Sequence, residues 1–111
     1  MHVEQSIHGA VTVLRPAGPL TREGAGEFRS EAEPTIRRSL GRCVIDASSV
    51  SYLDSEGIEA LLDLAEGLAR SGRELKLCGL SATVKEALQL TGVIGRFGLF
   101  EDVPSAVRSF L

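Results

Sequence analysis

The sequence predicts an α/β fold: one small domain, residues 1–111, in which a mixed, partly parallel β-sheet carries helices packed on it in the order ββαβαβαβα. Three observations predict it. Strand-length apolar runs alternate with segments whose apolar residues recur at three- and four-residue spacing. The run CVIDASSV, from Cys43, begins as continuously apolar, the pattern of a strand covered on both faces. A chain of 111 residues is long enough to bury one core and too short for two.

Two β-patterned runs come first, residues 2 to 7 and 10 to 15, the second carrying Val11, Val13 and Leu14; His8-Gly9 between them reads as a tight turn. RPAGPL, with two prolines and a glycine, ends the second strand and enters a loop. From Arg22 to Leu40, the residues Ala25, Phe28, Ala32, Ile36 and Leu40 form one apolar stripe on a charged helix. Pro34 removes a main-chain donor and disfavours helix at Glu33, so a kink or a break into two short helices is expected there. The Cys43 strand follows as the central one. After LDSEG, helical spacing runs through Ile58, Leu61, Leu62, Ala65, Leu68 and Ala69 to a glycine stop at Ser71-Gly72. Leu75, Leu77 and Leu80 mark the next strand and its loop. Thr83 and Glu86 have capping-box spacing ahead of a helix that Gly92 closes. GRFGLF supplies a last short strand, and Asp102-Val-Pro-Ser opens a terminal helix that buries Val107 and Phe110.

The chain is 43% hydrophobic and 24% charged, with a formal net charge of -3, an ordinary balance for a folded globular chain. It lacks the basic field that a nucleic acid or an anionic lipid surface requires. No stretch approaches the ~20 apolar residues of a membrane-spanning helix, and the start has no signal-peptide pattern, so a cytosolic protein is expected. Cys43 and Cys78 fall in apolar strand-like runs and read as core thiols rather than a disulfide.

The candidate chemistry is sparse. The histidines, His2 and His8, belong to the first strand and its turn, with nothing tying either to a nucleophile, so a serine enzyme is not predicted. The cysteines and histidines match no metal-ligand spacing, no phosphate loop is present, and no cofactor is expected. Val93, Ile94 and Phe97 could form an apolar partner patch, although packing on the sheet edge is the commoner explanation. One cluster remains, Asp54-Ser55-Glu56-Gly57 between a strand and a helix, which by itself reads as a helix cap with acids at the positive end of the dipole. A serine there would also lie beside free main-chain N–H groups, so an added phosphate would be tolerated by the fold. Gly57 has two readings: a tight strand-to-helix turn, or an absent side chain that lets a partner approach Ser55.

The motifs Val44-Ile45-Asp46, Asp54-Ser55-Glu56-Gly57 and Leu90-Thr91-Gly92 with Phe97, in this order of elements, resemble the STAS domain family of bacterial anti-sigma factor antagonists. The likeness covers residues 11 to 111, because VTVLRPAGPL is similar to the family's second strand and its exit. It implies a non-enzymatic phospho-switch in which Ser55 matches the serine that a serine kinase/anti-sigma factor phosphorylates. Unmodified antagonist holds that kinase; phosphorylated antagonist releases it, and a phosphatase would reset the cycle. The implied contact set is Asp54, Ser55, Glu56, Gly57, Ile58 and Leu61, on a monomer or weak dimer. Two positions depart from the pattern: Glu56 stands where serine or threonine is common, and Thr21 where many antagonists carry an acid. The alternatives within the resemblance are a STAS subunit of a phospholipid-transport ABC complex, or a scaffold or sensor module. Each would bind a partner without phosphorylation, and a single-domain chain favours the antagonist over the scaffold.

Overall fold

The structure, a computed structural model, describes residues 1–111. Five strands, β1 (His2–His8), β2 (Val11–Ala17), β3 (Cys43–Asp46), β4 (Leu75–Cys78) and β5 (Phe97–Phe100), lie side by side in chain order. β1 runs antiparallel to β2, and every later pair is parallel. Each parallel pair is joined by a helix: α1 (Ala25–Arg38), α2 (Ser55–Ala69) or α3 (Ala82–Leu90). A short 3-10 turn, Ile94–Arg96, leads into β5, and α4 (Val103–Arg108) ends the chain. No helix is long and apolar enough to cross a membrane.

Alternation along the strands sorts the apolar side chains into two layers. Leu14, Cys43, Ile45, Leu75, Leu77 and Phe97 face one side, where Phe28, Ala32 and Ile36 of α1, Leu61, Leu64 and Leu68 of α2, and Val84 and Leu88 of α3 cover them. Val11, Val13, Val44 and Cys78 face the other, where Ala106 of α4 is wholly buried and Val107 and Phe110 pack at its margin. This is why the Cys43 run is apolar at successive positions. The two thiols point to opposite faces and are both free. Burial pushes each up to about 12, with Asp46 and Asp102 adding to the effect on Cys78.

Four local expectations change. β2 continues through Pro16 to Ala17, because the amides of Thr12 and Gly18 point toward Arg42 and Ser49 on the β3 side. The missing donor of Pro16 therefore falls on that side, past Leu14, the last residue paired with β3. α1 is unbroken at Pro34. A proline in a helix interior costs about 3 kcal/mol relative to alanine. Phe28 and Ile36, on either side of it, are buried in the same core, and such side chains contribute roughly 1.5–3 kcal/mol each. Packing outweighs the proline.

Leu40 is not on the apolar stripe. It stands past the end of α1 at φ 55° and is 68% exposed. There the Gly41 amide bonds Ile36 O and the Leu40 amide bonds Arg37 O, the Schellman arrangement in which the left-handed position is usually glycine. The third helix is capped by Ser81, whose hydroxyl accepts from the Val84 amide at 3.2 Å, rather than by Thr83. Thr83 already lies inside the first turn, where its hydroxyl cannot reach the amides that a cap serves.

Candidate functional site

The N-terminus of α2 is built on two strands' exits. Chain leaving β2 runs alongside chain leaving β3: the Gly18 amide bonds Ser49 O at 2.9 Å, Leu20 bonds Tyr52 O at 3.0 Å, and Asp54 bonds Leu20 O at 3.3 Å. Leu20 and Leu53 form an isolated parallel bridge, and Leu20 is buried beneath the helix start. Residues 18–22 are thus a platform on which the first turn of α2 rests.

Asp54 locks the helix to that platform. Its Oδ1 accepts from the Glu56 and Gly57 amides, each at 3.0 Å, and its Oδ2 accepts from the Arg22 amide at 2.9 Å. These main-chain donors, Arg22 first and Gly57 next, hold its carboxyl below the usual carboxylate range. One carboxylate is both the helix cap and the tie to a loop that lies 32 positions earlier.

With the cap supplied by Asp54, Ser55 becomes the first helical residue. It is exposed, and its hydroxyl makes no hydrogen bond within the protein. Glu56 beside it is exposed and forms no ion pair. Ile58 is half-buried on the helix-covered core, and Tyr52, three residues ahead of Ser55, is 51% exposed.

Two members of the sequence-derived contact set lie inside rather than outside. A Cβ on Gly57 would stand 2.0 Å from Leu20 O, so the missing side chain makes room for the chain's own backbone and not for a partner's. Leu61 is 4% exposed and belongs to the core, one turn below Gly57, from where it supports the surface. The expectation of free amides beside Ser55 holds only in part. Asp54 has taken the Glu56 and Gly57 donors, which leaves the Ser55 amide as the free donor of the three. Val93 and Ile94 pack against the core and Phe97 is buried, so that trio is no open patch. What sequence reasoning missed is the platform, above all Leu20 and Arg22, together with exposed Tyr52. The G-P-L exit was visible as a turn, but nothing in its spacing revealed where it docks.

The STAS domain profile matches residues 2–106. The chain belongs to the STAS domain family. An anti-sigma F factor antagonist from Paenibacillus polymyxa is 20% identical over 108 residues, spanning 96% of this chain and 92% of that protein. Among solved structures, an anti-sigma factor antagonist from Mycobacterium paratuberculosis superposes with a TM-score of 0.84 at 21% identity, covering 97% of this chain and 92% of that one. The Bacillus cell fate determinant SpoIIAA, solved in its phosphorylated form, gives 0.72 at 17% identity over 99% of this chain and all of that one. At such identities the structural likenesses establish the STAS fold: a five-stranded, mostly parallel sheet with four helices. The family match reaches back to residue 2 and so includes β1, beyond the residue 11 at which the sequence likeness began.

Proposed function

We propose that this STAS domain is an anti-sigma factor antagonist, and that Ser55 is the phosphorylated switch by which it holds and releases a serine kinase/anti-sigma factor. The observation that carries the reading is the division of labour at the start of α2. Asp54 does the capping, which leaves the Ser55 hydroxyl exposed and without any role in the fold. A serine at a helix entrance ordinarily spends its oxygen on the cap; here it is available. The relatedness to anti-sigma factor antagonists supports the same assignment, as does the existence of a phosphorylated form of SpoIIAA.

The switch follows from charge. The docking surface is Ser55 with Glu56, Ile58, Tyr52 and the Arg22 loop around it. Phosphorylation adds ~1.5 to 2 negative charges next to the carboxylates of Asp54 and Glu56, with the Glu56 and Gly57 amides already engaged. A kinase seated over this end loses the hydroxyl contact and meets concentrated negative charge. A loss of ~3 kcal/mol weakens binding more than a hundredfold, enough for release. The fold itself is unaffected because the phosphate points away from it.

Intact mass after incubation with the cognate kinase and ATP tests the assignment: one phosphate on the wild type, none on Ser55→Ala. In a pull-down with ATP present, Ser55→Ala should remain bound while wild type dissociates. Phosphorylation of the alanine variant to the wild-type level would move the acceptor to Ser48, Ser49 or Ser51. No binding and no modification of either protein would sink the antagonist reading in favour of a transporter subunit.

A further inference from the structure

β1 is an edge strand with nothing laid against its outer side, and its sequence is close to a palindrome. The strand HVEQSIH reads outward from Gln5 as Glu4 and Ser6, Val3 and Ile7, His2 and His8. We propose that β1 is a homodimerisation edge: two copies of this chain pair β1 with β1 antiparallel about a two-fold axis at Gln5, joining two five-stranded sheets into one of ten strands.

The backbone decides which groups are free. His8 and Val11 flank a two-residue turn opened by Gly9 at φ 64°, so they form a mutually hydrogen-bonded pair. Alternating from there, Ser6, Glu4 and His2 direct their main-chain groups toward β2. Ile7, Gln5 and Val3 direct theirs to the open edge. The opposite side of β2 agrees, because the Thr12 amide points away from β1 to Arg42 O. Each β1 therefore presents three unpaired N–H and three unpaired C=O groups along a continuous edge. Most of the devices that blunt such an edge are missing: β1 has no proline, no lysine and no bulge in its residue-by-residue register with β2, and its one carboxylate, Glu4, is paired with Arg15 of β2.

Self-pairing about Gln5 uses every one of these groups. Gln5 meets Gln5 of the second copy, and Val3 meets Ile7 twice, each a pair that exchanges both hydrogen bonds. Ile7, now 64% exposed, gains an apolar neighbour on the face where Val3 already packs on the core. On the other face Glu4 lies opposite Ser6. Sliding the axis to Glu4 would set two glutamates directly opposite each other, which is unfavourable. Sliding it to Ser6 would leave Val3 unpaired. The Gln5 axis is thus the register that both hydrogen bonding and charge select. α2 packs on α1 and β4, away from this edge, so the dimer would display two copies of the Ser55 surface.

Sedimentation equilibrium of the full chain over concentrations up to about 1 mM tests the association, since weaker dimers carry less than about 4 kcal/mol. A reversible dimer is expected. Gln5→Pro deletes an outward donor and Ile7→Lys places a charge at the edge without touching the core; each should weaken the dimer at least tenfold while the circular dichroism spectrum stays native. A register test accompanies them. Gln5→Cys should form a disulfide-linked dimer under mild oxidation, because paired Cα atoms ~5.5 Å apart suit that bond. Ile7→Cys should not, because its symmetry mate lies four residues along the strand, ~13 Å away. Wild type that stays monomeric throughout, a dimer indifferent to both edge substitutions, or equal cross-linking of both cysteine variants would each overturn the proposal.

Discussion

α1 and α2 lie side by side on one face of the sheet, joined at the surface by an Arg29–Asp63 ion pair of 2.7 Å, yet their sequences specify them in opposite ways. α1 begins at Gly24 with no side-chain cap, carries Pro34 in its interior and ends on Leu40 in a left-handed conformation. α2 begins at Asp54 with two amides capped and ends at Gly72 in the same left-handed role, at φ 73°. α1 is a helix because Phe28, Ala32 and Ile36 have a core to fill; α2 is one by local chemistry as well. The accurate helix start is the one that presents Ser55. In the proposed function, a switch serine must be held at a fixed place on the surface offered to its partner, whereas α1 has only to cover the sheet.

Four experiments would break or sharpen that contrast. The largest effect is expected at Gly57→Ala, where the new Cβ would stand 2.0 Å from Leu20 O. A backbone oxygen tied to the Asp54 amide cannot step aside cheaply, so a loss of about 3 kcal/mol or more is expected in urea unfolding. Gly67→Ala in the same helix meets nothing within 4 Å and should instead stabilise by roughly 0.5–1 kcal/mol. Equal effects of the two would mean that the platform contact is not what requires glycine at 57.

Next comes Pro34→Ala, which restores a main-chain donor to α1. It should stabilise the protein by about 2 kcal/mol, somewhat less than the full helix-interior difference because the chain has already adapted to proline. Thermal unfolding would register this as a clear rise in midpoint; no rise would imply that Pro34 is as well accommodated as any residue in α2. Leu40→Gly is third. Relieving a non-glycine residue at φ 55° should yield about 1 kcal/mol, as the exposed side chain gives up little packing.

The smallest effect concerns acid. The Asp54 carboxyl is held below its ordinary 3.8 by the Arg22, Gly57 and Glu56 amides. The unfolded chain therefore takes up the proton first as pH falls, and the cap's contribution, intact above about pH 5, is lost as pH drops through the depressed value. Asp102, depressed chiefly by the Ser105 amide, adds to the same acid limb. Melting from pH 5 downward should show a shallower decline for Asp54→Asn than for wild type. Identical slopes would show that the Asp54 charge does not couple to folding.

The order of elements was legible because it rests on periodicity. Val11 and Val13 alternate with Thr12 and Leu14, Ile58 to Leu68 keep helical spacing, and CVID is apolar on both faces since it lies between two helical layers. Glycine stops at Gly72 and Gly92 were legible for a local reason, the left-handed turn that ends a helix. Misjudged positions were those where a local rule competes with packing: Pro34, which packing overrides, and Leu40, which continued the apolar spacing past the helix end. At the candidate site, Asp54 and Ser55 could be found from D-S-x-G. Their assignment to separate jobs could not.

By itself the sequence determined which segments become strand or helix and that an acid and a serine stand together at one helix start, because propensity, periodicity and capping act over a few residues. Only the tertiary structure decided that Leu20 and Arg22 would brace that start, that Gly57 and Leu61 would face inward, and that the hydroxyl of Ser55 would be left free. Those outcomes depend on the exits of the parallel neighbours β2 and β3 meeting at one end of the sheet, and contacts made across 32 positions of chain leave no period in the sequence that makes them.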